Sequence, residues 1–141
     1  MKSLFVPLLV GLLISLSSPL LRAADNVQIS EFMALNSNGI EDEDGDNEDW
    51  IEIHNAGSNI VNLAGWYLTD TTNRLTNWMF PSISLSPDAY LIVFASGKDR
   101  DVGQLHTNFK LSGNGEYLGL IRPDGVTVAW EYYPNGGSRE R

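Results

Sequence analysis

The sequence predicts an all-β domain arranged as a β-sandwich, and three observations carry that prediction. Apolar and polar residues alternate in short runs rich in β-branched and aromatic side chains. Turn-forming clusters interrupt these runs about every ten positions. No stretch repeats apolar residues at helical spacing over the length of a helix.

The elements follow in order. "VQISEFMAL" (27–35) places Val27, Ile29 and, after a step, Phe32 against polar Gln28, Ser30 and Glu31, a strand with one buried face. "NSNG" (36–39) breaks it ahead of an acidic loop. "DWIEIHN" (49–55) then sets Trp50 and Glu52 on one side and Ile51 and Ile53 on the other, and Asn55-Ala56-Gly57 ends it. Short strands are expected at 60–63 and 66–69, joined through Ala64-Gly65, and at 76–81. "YLIVFAS" (90–96) is apolar almost throughout, which predicts a strand covered on both faces. "GKDRD" (97–101) closes it as an exposed turn. Runs at 106–111, 116–123 and 126–133 follow, and Pro123-Asp124-Gly125 between the last two predicts a β-hairpin, because Asp-Gly supplies the positive φ such turns need. Seven or more short strands with frequent turns suit an immunoglobulin-like β-sandwich, with a closed barrel as the alternative.

Residues 1–24 read as a signal peptide: Lys2 gives a positive start, Leu8 to Leu16 form an apolar run, and Ala23-Ala24 offer small residues for cleavage. An uncleaved membrane anchor is the rival reading, weakened by Pro7, Pro19 and Ser17-Ser18. The chain has no cysteine, so attachment through a lipidated cysteine is excluded and the core must hold without disulfides. Residues 25–134 form the expected β-sandwich domain, and 135–141, "NGGSRER", a polar tail or truncated linker.

Without its leader the chain loses Lys2 and Arg22 but keeps all 18 acids, so its formal charge is about −11. Seven of those acids lie between 41 and 49. A field of this sign repels phosphate backbones, so no nucleic-acid partner is expected.

The segments "ISEFMALN" (29–36), "DGDNEDWIEIHN" (44–55), "VNLAGWYLTD" (61–70), "WMFP" (78–81), "YLIVFASGKDR" (90–100) and "HTNFKLSGNGEYLGLIRPDG" (106–125), in this order, resemble the bacterial lamin tail domain family. The resemblance implies an immunoglobulin-like, exported and non-catalytic module, of a kind often appended to larger surface proteins or hydrolases. No enzymatic domain accompanies it here, and the chain ends where family members commonly continue. Gly65 before Trp66 fits a bend turning a large indole into the core, and Gly113 and Gly115 fit turns that side chains would disfavour.

Among candidate sites, Asp42, Asp44 and Asp46 alternate around Gly45, with Asn47 able to adopt a left-handed conformation, as at the start of calcium loops. An EF-hand beginning at Asp42 would require glycine at 47 and glutamate at 53, where Asn47 and Ile53 stand. Asp42, Asp44, Asp46 and Asp49 are therefore candidate calcium ligands, set against a solvated acidic turn that needs no ion. Lys98 and Arg100 read as a soluble loop rather than a binding lip. Trp50, Trp66, Trp78 and Trp130 read as core rather than as a sugar-stacking set, and His54 and His106 as structural or surface residues. No cysteine nucleophile, serine elbow, zinc-spaced histidine pair or phosphate-cradling loop is present, so no enzyme is expected. The expected role is binding or tethering of a protein or envelope component, in a secreted or envelope location, with contact to membrane only during export or through an uncleaved leader. A calcium-stabilised spacer of a larger surface protein and a small carbohydrate-binding domain are the alternatives.

Overall fold

A computed structural model describes residues 25–134; the expected signal peptide and tail lie outside the described residues. The described chain forms ten strands and no helix: β1 Val27–Met33, β2 Trp50–Asn55, β3 Val61–Asn62, β4 Tyr67–Thr69, β5 Trp78–Met79, β6 Ser84–Leu85, β7 Tyr90–Phe94, β8 Leu105–His106, β9 Leu118–Ile121 and β10 Val128–Tyr132. None of the described residues belongs to a helix that could cross a membrane.

Two four-stranded sheets, ordered β1-β2-β7-β8 and β10-β9-β4-β5, face each other across one core, and β3-β6 form a small third sheet. Period-two patterning decides which side chains meet there. In the first sheet, register aligns Phe32, Ile51, Val93 and Leu105 across four strands, with Ile29, Ile53 and Leu91 beside them. In the second, Trp130, Leu120, Leu68 and Trp78 share a row. The step in the first run is a β-bulge between Ile29 and Glu31, which returns Phe32 to the inner face. Phe32 then packs against Trp130 and Tyr132, with ring centroids 6.4 and 5.1 Å apart, bringing the margins of the two sheets together.

The structure changes several expectations. β1 and β10 are neighbours without pairing, so the sheets stay open and no barrel closes. Only the second half of the 90–96 run is covered on both faces: Val93, Phe94 and Ala95 are buried, while Tyr90 is 55% exposed. The strands buried at every position are β9 and the two-residue β8. Of the 106–111 run only His106 is in a strand, paired with β7 in parallel; the rest forms bends, with Ser96 bridged to Lys110. The 123–125 hairpin is present, with Gly125 at φ 73°. Trp66 and Trp78 lie in the core, whereas Trp50 and Trp130 are half-buried.

Gly65 performs the bend that seats Trp66, its φ of 76° lying in the left-handed region. Trp66 N–H donates to Leu63 O at 2.9 Å, Phe80 N–H donates to Trp66 O at 2.8 Å, and the Arg122 guanidinium covers the indole at 5.2 Å. A Cβ at Gly65 would meet only Pro123 Cβ, at an ordinary 3.7 Å. Gly65→Ala therefore costs only backbone conformation, about 1–2 kcal/mol, read as a lower urea midpoint with unchanged slope. A midpoint equal to wild type would show that the bend does not need glycine.

Candidate functional site

The acidic loop folds as a compact turn. Asp42 Oδ1 accepts the amides of Asp44 and Asp46 at 2.9 and 3.0 Å, Asp42 N–H donates to Asp46 O at 2.9 Å, and Gly45 N–H donates to Asp42 O at 3.0 Å. Gly45 supplies the left-handed residue, φ 83°, and Asn47 keeps a negative φ. The turn's geometry aims the remaining oxygens of Asp42, Asp44 and Asp46 at a common point, and ligand atoms of the three lie within 4.8 Å of one another.

Lys98 occupies that point. Its Nζ donates to Asp42 Oδ2 at 2.5 Å, Asp44 Oδ2 at 2.9 Å and Asp46 Oδ2 at 2.8 Å, with Glu48 Oε1 at 4.0 Å. The lysine is delivered by the crossover between β7 and the parallel strand β8. There Lys98 N–H donates to Ser96 Oγ, Asp99 N–H to Thr107 O, and Arg100 exchanges both backbone bonds with His106. Alternation along this arm puts Arg100 beside Lys98, and its guanidinium forks between Glu43 Oε1 at 3.0 Å and Asp44 Oδ2 at 2.8 Å. Glu43 is held further by Gln104, whose amide donates to Oε2 at 3.1 Å and whose side chain accepts from Glu43 N–H at 2.7 Å. Lys110 bonds Glu48 at 3.1 Å.

Charge follows the contacts. Burial pushes Asp42, whose side chain is fully buried, toward neutrality, but the Lys98 bond and the two backbone donors outweigh it and leave the carboxyl below its ordinary range. Lys98 and then Arg100 hold Asp44 at about 2. The three aspartates raise Lys98 above the ordinary lysine range.

Beneath the clamp lies His106, fully buried and stacked on Phe94 at 5.4 Å. Its Nδ1 is 2.8 Å from Ser96 Oγ, and its Nε2 is 3.9 Å from Glu43 Oε1. The row Ser96–His106–Glu43 has the residue types of a hydrolytic relay. Ser96, however, is buried, and its hydroxyl is already engaged by His106 and by the Lys98 amide. Burial, the largest influence, lowers the affinity of His106 for a proton.

The structure thus brings together Asp42, Asp44 and Asp46 and sets Asp49 apart. Asp49 Oδ1 caps the start of the loop, accepting the amides of Leu35 at 2.8 Å and Asn36 at 3.4 Å. Leu35 takes a left-handed φ of 60° under that cap. Lys98 and Arg100 are not a free turn but the cationic half of the clamp. Sequence reasoning did not pair them with the acids, although Lys98 and Arg100 repeat at the same period of two as Asp42, Asp44 and Asp46. His106 is a core residue, and His54 bonds Asp88 at 3.0 Å while stacking on Tyr90 at 4.2 Å.

Two open sheets over one aromatic core, with surface loops tied by their own side chains, define an all-β module of the immunoglobulin-like kind. The lamin tail domain family model matches residues 21–135, and the chain belongs to that family. Comparison with curated proteins found no match.

Lys98→Met leaves three carboxylates facing one another without their cation, and is expected to lower the melting temperature more than Lys110→Met, whose side chain is 63% exposed. Equal effects would show that the clamp is not the stronger contact. Folding depresses Asp42 and Asp44, so their contribution is complete above the unfolded value of 3.8 and is lost as pH falls toward about 2. Raised Lys98 contributes fully below its unfolded value of 10.5. The melting difference between wild type and Lys98→Met should therefore be flat from about pH 6 to about pH 9 and shrink below about pH 4. Lowered His106 contributes stability above its unfolded value of 6.5 that declines in acid, by less in Lys98→Met because Lys98 is one of the charges that lower it, so it adds to the shrinking of the difference in acid. A melting difference that instead peaks near pH 3 would contradict this assignment.

Proposed function

We propose that the chain is an exported, non-catalytic module that mediates protein interaction or tethering at the cell envelope. Membership in the lamin tail family supports a binding or structural role. The groups best suited to chemistry support it too, since Asp42, Glu43 and Asp44 are already engaged by Lys98 and Arg100 and Ser96 is buried. The negative field disfavours nucleic acid.

The observation that carries the reading is the open margin where β1 and β10 meet. Neither strand pairs with a further strand among the described residues, and a groove of about 160 Å³ opens there, lined by Phe32, Ala34, Leu111, Gly113 and Tyr132. Met33 and Leu35 stand exposed beside it, Leu35 at 73%. A free strand margin beside apolar side chains suits an extended peptide added by backbone pairing. In the full chain, a photo-crosslinking residue at position 35 should give a discrete adduct with an envelope protein, and one at the equally exposed Val126 should not. No adduct at 35, or the same adducts from both positions, would sink the reading.

A calcium-stabilised spacer is the second reading, favoured by the convergence of Asp42, Asp44 and Asp46 within 4.8 Å. Calcium would have to displace Lys98 from all three. Millimolar calcium raising the melting temperature, with the rise lost in Asp44→Asn and Asp46→Asn, would establish it; unchanged melting would exclude it.

A further inference from the structure

We propose that the groove at the β1–β10 margin selects an extended peptide in which a Lys or Arg stands two positions from an apolar residue, and that Glu116 receives the cation. This inference rests on the reading of that margin as a peptide-docking edge and names the kind of peptide it takes. Phe32, Ala34, Leu111, Leu118 and Tyr132 make the groove apolar, and Glu116 is the one charged residue among those lining it. At about 160 Å³ it is smaller than the roughly 300–1,000 Å³ of pockets that enclose small molecules. Such a volume suits one side chain of a longer ligand.

Local structure holds the carboxylate in place. Leu111 and Glu116 flank the turn Ser112-Gly113-Asn114-Gly115, which Gly115 N–H closes onto Ser112 O at 3.0 Å. Ser112 N–H donates to Glu116 Oε1 at 2.6 Å, so the turn grips one oxygen of the acid. The turn is itself wedged between two side chains. A Cβ at Gly113 would lie 2.4 Å from Leu35 Cδ1, and one at Gly115 would lie 2.8 Å from Pro134 Cβ. Glu116 Oε2 has no hydrogen-bond partner among the described residues.

Electrostatics favours a cation there. Burial, the largest influence, pushes the Glu116 carboxyl above its ordinary range; Asp70 and Asp49 push the same way, and the Ser112 amide opposes them. No described Lys, Arg or His forms an ion pair with any of these three acids. The acidic loop differs, since Lys98 and Arg100 already occupy it. A cation carried by the ligand offsets both the burial and the repulsion, whereas a neutral side chain leaves the carboxylate desolvated and unpaired. Side chains two apart in an extended chain share a face, so an apolar residue entering the groove brings the residue two positions away over the same surface.

The test uses the full chain, isotope-labelled for NMR, and three capped peptides of one threonine-rich sequence. Each carries a leucine and, two positions on, lysine, norleucine or glutamate. The lysine peptide should move the amides of Ala34, Gly113 and Glu116 and bind about 10-fold tighter than the norleucine peptide, with the glutamate peptide weakest. Glu116→Gln keeps an acceptor for the Ser112 amide and should level the lysine and norleucine affinities. Equal binding of all three peptides at the groove would overturn the selection for a cation and leave the docking edge standing; no groove shift from any of them at millimolar concentration would overturn both. A lysine preference undiminished in Glu116→Gln, or shifts confined to residues 42–48, would also overturn the proposal. So would groove shifts that follow protein concentration without peptide, which make a second copy the occupant, or that follow removal of residues 135–141, which make it the chain's own tail.

Discussion

Strand β2 is the constraint on which the rest of the molecule depends. It pairs with β1 on one side and β7 on the other, and its inner residues, Ile51 and Ile53, are fully buried. A slip of one residue would turn both isoleucines outward and send Trp50, Glu52 and His54 into the core. The ends of β2 are fixed as well. Asp49 caps the segment leading in, and at the exit Asn55 donates its side-chain amide to the carbonyls of Asn59, Leu85 and Ser86. The amide of a fully buried Asn55 is thereby satisfied, and the small β3-β6 sheet is tied to the first sheet.

The clamp inherits its geometry from that frame. Pairing of Trp50 with Phe94 sets the acidic turn, ending four residues before Trp50, and Lys98, four residues after Phe94, above the same end of the sheet. An ammonium at the focus of three carboxylates offsets both their mutual repulsion and the burial of Asp42. Gly103, at φ 76°, lets the arm approach closely, because a Cβ there would lie 3.1 Å from Glu43 Oε2. The domain thus holds its most charged surface without disulfides, using residues drawn from two loops.

The strands were legible because their signals are local. Period-two patterning located β1 and β2, and the runs flanking Asp-Gly located β9, β10 and the final hairpin. What escaped was set by distant parts of the chain. The short strand β6 exists only through its pairing with β3, and β7 reads as apolar throughout although only its second half is covered on both faces. At the candidate site the carboxylates of Asp42, Asp44 and Asp46 were visible from spacing, but nothing local says that Asp49 turns back to cap Leu35. Nor does anything local say that position 98 fills the centre of the turn. The first follows from the register between β1 and β2 and the second from that between β2 and β7, which a one-dimensional pattern does not contain.

The link between Asp42 and Lys98 spans 56 positions, and this separation orders events during folding. Closing so long a loop is entropically costly for a single ion pair, but antiparallel zipping of β2 onto β7 shortens the remaining loop to a few residues at each end. The charged latch therefore shuts after the sheet has assembled. Until the polypeptide has been made as far as its hundredth residue, the acidic stretch lacks the Lys98 and Arg100 side chains it pairs with in the folded domain.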